Sequence, residues 1–167
     1  GKRLQLGEGK ILLIEGIHGL NPELTRSLPE GSVLKIYAGL RTEYYEGEKR
    51  RISTADIRLI RRMIRDVRER DHDAEATLLR WQSIVDGEAK WIKPHKKEAD
   101  LLLNTSLDYE PCLYAPVIRA LTEGGSGGSM QKELEALSER FDGVISRRTD
   151  EVPDSSLLVE FIGRAES

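Results

Sequence analysis

Five arginines, Arg58, Arg61, Arg62, Arg65 and Arg68, recur at helical spacing in the first half of the chain. At about 100° per residue they fall within an arc of about 120°. Like charges three and four residues apart on a helix repel by a few tenths of a kcal/mol per pair. Asp66 sits at the edge of the arc, within reach of Arg62 or Arg70, and cannot neutralise five guanidiniums. Planar bidentate donors repeated along one face suit phosphate oxygens. The competing reading is a basic face that is solvated, or salt-bridged to acids elsewhere in the fold. The surrounding charge points the same way. Lys49 to Arg70 holds nine Lys or Arg against three acids, whereas Met130 to Ser167 holds five against nine.

A second candidate is Glu15, which follows the apolar run Ile11-Leu12-Leu13-Ile14 and precedes Gly16. A carboxylate at the carboxyl end of a parallel strand stands where open α/β sheets place their ligands. There it could hold Mg²⁺ together with phosphate oxygens; a capping or solvated acid is the plainer alternative. His18 lies in the same loop and could contact a ligand or pack the loop. His18, His72 and His95 have no partner at metal-ligand spacing. Cys112, between Pro111 and Leu113, reads as a small packed residue rather than a nucleophile. Trp81 fits a helix stripe, while Trp91 and Tyr44-Tyr45 read as loop aromatics. No G-x-x-x-x-G-K-[ST] stretch occurs in the chain, so it holds no loop of that kind to cradle a triphosphate.

The elements that must position these residues alternate. Lys10 to Ile14 reads as a buried parallel strand, with a helix starting at Asn21-Pro22-Glu23 on which Leu24 and Leu28 share one face. Ser32 to Ala38 reads as a second strand, completing a right-handed βαβ unit. Ser53 or Thr54 caps a helix to about Arg70 with Ile57, Ile60, Ile64 and Val67 as its apolar stripe. A second helix starts after Asp73, carries Ala74, Leu78, Trp81 and Val85, and ends before Gly87. Ala99 to Leu103 is a third buried-strand candidate. Tyr109 to Leu121 reads as a helix that Pro116 must kink or split, and Met130 to Phe141 as an amphipathic helix on Leu134, Leu137 and Phe141. The tail stretch Leu157–Ile162 fits strand or helix. Gly124-Gly125-Ser126-Gly127-Gly128-Ser129 is a flexible joint that reads as designed, a natural low-complexity loop being the other reading.

Composition bounds the rest. The 167 residues have 38% hydrophobic and 33% charged side chains and a formal net charge of −3, which fits a soluble globular chain better than a disordered one and excludes a globally basic nucleic-acid binder. The longest apolar run is far below the roughly 20 residues of a membrane span, and no signal-peptide pattern opens the chain. A lone cysteine favours a reducing, cytoplasmic setting.

Several stretches carry a resemblance. Ile11 to Pro22 is similar to the strand-and-EGI motif of the uridine kinase and phosphoribulokinase family, most of all its bacterial uridine-kinase-like nucleoside kinases. Asp56 to Asp66 resembles that family's DxRLxRRxxRD helix, in the region that closes over the nucleotide phosphates. Lys93 to Leu103 resembles the segment ending in its ADLLL strand, and Asp108-Tyr109-Glu110-Pro111 the turn that follows. Val152 to Gly163 is similar to its PxxSLLREFIG tail, with Val159 in place of the usual arginine.

The resemblance implies a partial P-loop-kinase-like α/β fold, a parallel sheet with flanking helices and a helical lid over about residues 49–87. It implies that residues 1–123 form the C-terminal half of the domain, that 124–129 link, and that 130–167 pack back on it. Arg61, Arg62 and Arg65 would face phosphate, with Arg58 and Arg70 beside them; Glu15 would be the magnesium-associated acid and His18 a substrate contact. The implied reaction is transfer of the ATP γ-phosphate to a nucleoside 5′-hydroxyl, with Mg²⁺ and ATP as cofactors. The family's P-loop and catalytic aspartate lie before the EGI strand, so the chain alone is expected to be inactive. Its expected partners are a nucleotide or phosphate anion and the N-terminal kinase half. A non-catalytic binding or structural module is the alternative, and an RNA-phosphate binder a weaker one.

Overall fold

The computed structural model describes residues 5–70, 74–124 and 129–163. In chain order the elements are strands β1 (Ile36–Gly39), β2 (Tyr44–Glu46) and β3 (Lys49–Ile52), helices α1 (Thr54–Arg70) and α2 (Ala74–Trp91), strand β4 (Leu101–Asn104), and helices α3 (Glu110–Glu123), α4 (Ser129–Glu139) and α5 (Val159–Ile162). This is a mixed α/β fold with a small parallel sheet, β1 beside β4, and helices around it. By contacts the chain forms two units, residues 1–37 with 86–102 and residues 38–85 with 103–167.

The second unit holds all the buried apolar residues of the described chain. Ile57, Ile60 and Met63 of α1 meet Leu113, Tyr114 and Ile118 of α3, Leu134 and Leu137 of α4, and Phe141, Leu158 and Phe161. The stripe is therefore rotated from expectation. Leu59 and Met63 are buried, Ile64 is half-buried and Val67 is exposed, so the buried arc is centred nearer Ile60 and Met63 than Ile64 and Val67. Ser53 caps α1 in a capping box. Its Oγ accepts from the Asp56 N–H at 3.2 Å, and Asp56 Oδ2 accepts from Ser53 N–H at 2.8 Å and from Ser53 O–H at 2.7 Å.

Pro116 does not split α3, which runs through it. A proline has no N–H for the carbonyl four residues back. That carbonyl, of Cys112, instead accepts from the backbone N–H of Arg147 at 2.9 Å, drawing the segment after α4 onto α3. Tyr44-Tyr45, expected in a loop, and Lys49–Ile52, expected in the helical lid, instead form an antiparallel hairpin in which Tyr44 faces Ile52, Tyr45 faces Arg50 and Glu46 faces Lys49. Gly47 opens its two-residue turn at φ 58°, a conformation favoured in hairpin turns. Tyr44 and Tyr45 are thus strand residues, and Gly87 lies inside α2, which continues to Trp91. The tail stretch resolves as the short helix α5.

The first unit differs most from expectation. Lys10 to Ile14 forms no strand, and Ile11 is 94% exposed. A strand exists through its ladder, and no described strand lies beside this run to share its N–H and C=O groups. The expected helix after Asn21 is a single 3-10 turn, Pro22–Leu24, capped where Asn21 Oδ1 accepts from the Glu23 N–H at 3.0 Å; Leu24 and Leu28 stay exposed. No βαβ unit therefore joins Lys10–Ile14 to β1; the crossover runs from β1 to β4 instead. Within this unit the Asp100 and Leu101 N–H groups both donate to Lys35 O, at 2.9 and 3.1 Å. β4 is a strand as expected, but Leu101, Leu102 and Leu103 are exposed, not buried.

Candidate functional site

Helix α1 sets the arginine face, and the structure divides it. Arg61 is turned inward. Its Nε and Nη2 grip both carboxylate oxygens of Glu110, Nη2 to Oε2 at 2.8 Å, and Nη2 also donates to Thr105 O at 3.4 Å. Glu110 is 1% exposed, and the Phe161 ring lies 4.8 Å from the Arg61 guanidinium. Burial works against the charge of Arg61, but the hydrogen bond and charge of Glu110 outweigh it and hold the pKa above the ordinary value. The buried Tyr114 hydroxyl lies close to this pair, and burial, followed by the charge and hydrogen bonding of Glu110, pushes its ionisation well upward.

The other arginines take separate roles. Arg68 donates to the Phe161 and Glu160 carbonyls at 2.9 and 3.0 Å, holding α5 against α1. Arg58 lies over the Trp81 ring at 5.9 Å. Arg62 Nε stands 3.4 Å from Asp66 Oδ2, a buried acid that also accepts from the Thr77 hydroxyl at 3.2 Å. Arg65 is half-buried, has no ion-pair partner among the described residues, and its Nε, like that of Arg62, is buried without a hydrogen bond. The side chain of Arg70 lies outside the described residues. Arg62 and Arg65, one turn apart, are therefore the guanidiniums of α1 least consumed by the fold.

Glu15 and His18 are both exposed in the first unit. The His18 carbonyl accepts from the Asn21 N–H at 2.9 Å. Among the described residues no group of three His, Cys, Asp or Glu side chains converges to hold a metal. Glu15 as placed offers one carboxylate and no cage, so these residues do not make a magnesium site of their own. No described helix is long and apolar enough to cross a membrane.

Two residues that sequence reasoning passed over shape the site. Glu110 enters the sequence reading only within the turn Asp108–Pro111, and Asp56 only as the start of the helix motif Asp56–Asp66. Asp56 is 6% exposed and bound through Oδ1 by Arg140 Nη1. Each was visible as a residue; its partner, 49 or 84 positions away, was not. No curated protein and no solved structure matches the chain. A family model does: residues 51–109, from β3 through α1, α2 and β4 to the residue before α3, match the Phosphoribulokinase / Uridine kinase family.

Proposed function

We propose that this chain is the phosphate-clamping portion of an ATP-dependent nucleoside kinase, of uridine-kinase-like type, whose reaction passes the ATP γ-phosphate to a nucleoside 5′-hydroxyl. The observation that carries the reading is Arg65 beside Arg62 on α1, two half-buried guanidiniums of which, among the described residues, Arg65 has no ion-pair partner and Arg62 has Asp66 at 3.4 Å, inside the segment that matches the family. A phosphate accepts from their terminal N–H groups and removes the repulsion between neighbouring guanidiniums. Arg58 and Arg70 flank this pair, and Arg61 joins it only by releasing Glu110. By the family resemblance alone, Glu15 is the proposed magnesium-associated acid and His18 the proposed substrate contact. The chain has no Walker A loop, and phosphoryl transfer depends on positioning metal and both reactants together. It therefore binds phosphate weakly and does not turn over by itself.

ATP or inorganic phosphate at millimolar concentration raises the melting temperature through binding to the folded state. Arg62→Gln with Arg65→Gln abolishes that rise and leaves the unliganded chain as stable or slightly more so. A double variant that keeps the rise, or is clearly destabilised without ligand, makes these arginines structural. Sustained product from ATP-Mg and uridine or cytidine would refute the claim that the chain alone is inactive.

A further inference from the structure

We propose a second anion site, separate from the arginine face: the groove between β3, the start of α1 and α4, which takes a small polyphosphate-like anion. The groove encloses about 430 Å³ and is lined by Lys49, Arg50, Arg51, Ser53, Asp56, Ala136, Glu139 and Arg140. Four cations face two acids there. Asp56 is already spent, capping α1 and binding Arg140, and the Ser53 hydroxyl is committed to Asp56. Glu139 is the one acid of the lining left to oppose an anion.

The cations are built into place to different degrees. Arg51 is held from behind, its Nη2 donating to the Glu139 carbonyl at 2.8 Å, with its side chain only 24% exposed. Its carboxylate partner, Glu46 at 3.3 Å, is 75% exposed, so that pair is solvated and costs little to exchange. Arg50, more than half exposed, pairs with Glu43 at 3.2 Å. Lys49 has no ion-pair partner among the described residues. Arg140 keeps donors beyond the one on Asp56. Two anchored guanidiniums, one solvated guanidinium and one unengaged ammonium converge on a cleft of small-ligand size.

The lining also limits the ligand. Ala136 is its only apolar residue, and no aromatic ring borders it. A nucleobase finds nothing to stack on, so recognition rests on the phosphates. The ligand class is a compact phosphate dianion or short polyphosphate, free or on a small metabolite.

The test is amide NMR on the whole chain with tripolyphosphate and with ATP as separate probes. Shifts should appear at Lys49–Ser53 and Ala136–Arg140, with similar affinity for both probes. Lys49→Gln with Arg50→Gln, exposed hairpin positions outside the core, should weaken those shifts about tenfold or more. Arg65→Gln should leave them unchanged, which separates this site from the proposed kinase site. Absence of shifts at these residues, shifts that survive the double variant, or ATP binding there far more tightly than tripolyphosphate would overturn the proposal.

Discussion

Tyr44 shows how the site region reports on itself. Its hydroxyl donates to the Leu107 carbonyl at 3.1 Å. Burial, followed by the charges of Glu110 and Asp108, raises its pKa from 10.0 to about 12. The folded state thus holds the phenol proton more tightly than the unfolded chain does. Its contribution is complete below pH 10 and is lost as pH rises from there toward about 12. Urea titrations at stepped pH should show stability falling across that window. Tyr44→Phe should flatten the fall while lowering stability at neutral pH by about 1 kcal/mol, the net worth of one hydrogen bond. A pH profile unchanged by the substitution would mean that Tyr44 does not titrate in this way.

Between elements, Arg61 and Glu110 are the polar joint of an otherwise apolar α1–α3 contact. Removing one partner strands the other without water, so Arg61→Met or Glu110→Leu alone should cost about 3–5 kcal/mol. The double replacement should recover most of that loss in equilibrium unfolding. If the three variants are equally stable, the pair is not desolvated as the structure shows it. This joint also marks what a sequence can tell. Helix α1 and its Ser53 cap were legible because cap, acid and apolar period lie within a few turns of chain. The arginines were legible as a face, but not which one turns inward, since that choice belongs to Glu110 arriving on another helix. The hairpin was missed although Tyr44-Tyr45 and Gly47 lie on either side of Glu46. Lys10–Ile14 failed for a different reason: an apolar tetrad states a preference for a ladder and cannot supply the neighbouring strand.

Across the whole molecule, stability is unevenly distributed. The buried apolar residues all belong to residues 38–85 and 103–167, while the other unit exposes Ile11, Leu13, Ile14, Leu101 and Leu102. Opening free energy follows local burial. Hydrogen exchange should therefore find amides of α1 and α3 protected to near the global unfolding limit. Those at residues 5–35 should exchange within about an order of magnitude of the unfolded rate. Limited proteolysis should cut first in the same stretch. Comparable protection in both units would show that residues 5–35 are covered by contacts the structure does not contain.

The Cys112 carbonyl has one more consequence. The bond it accepts is main chain to main chain, so it is blind to the identity of the residue that donates it. Arg147→Ala should be nearly silent in thermal unfolding, despite removing a side chain paired with Glu151 at 3.5 Å on the surface. Arg147→Pro should detach the returning segment, because it deletes the only atom the acceptor needs. The latch is written not at position 147 but at Pro116, in what the proline leaves undone: mutational tolerance at one place is guaranteed by a missing hydrogen at another.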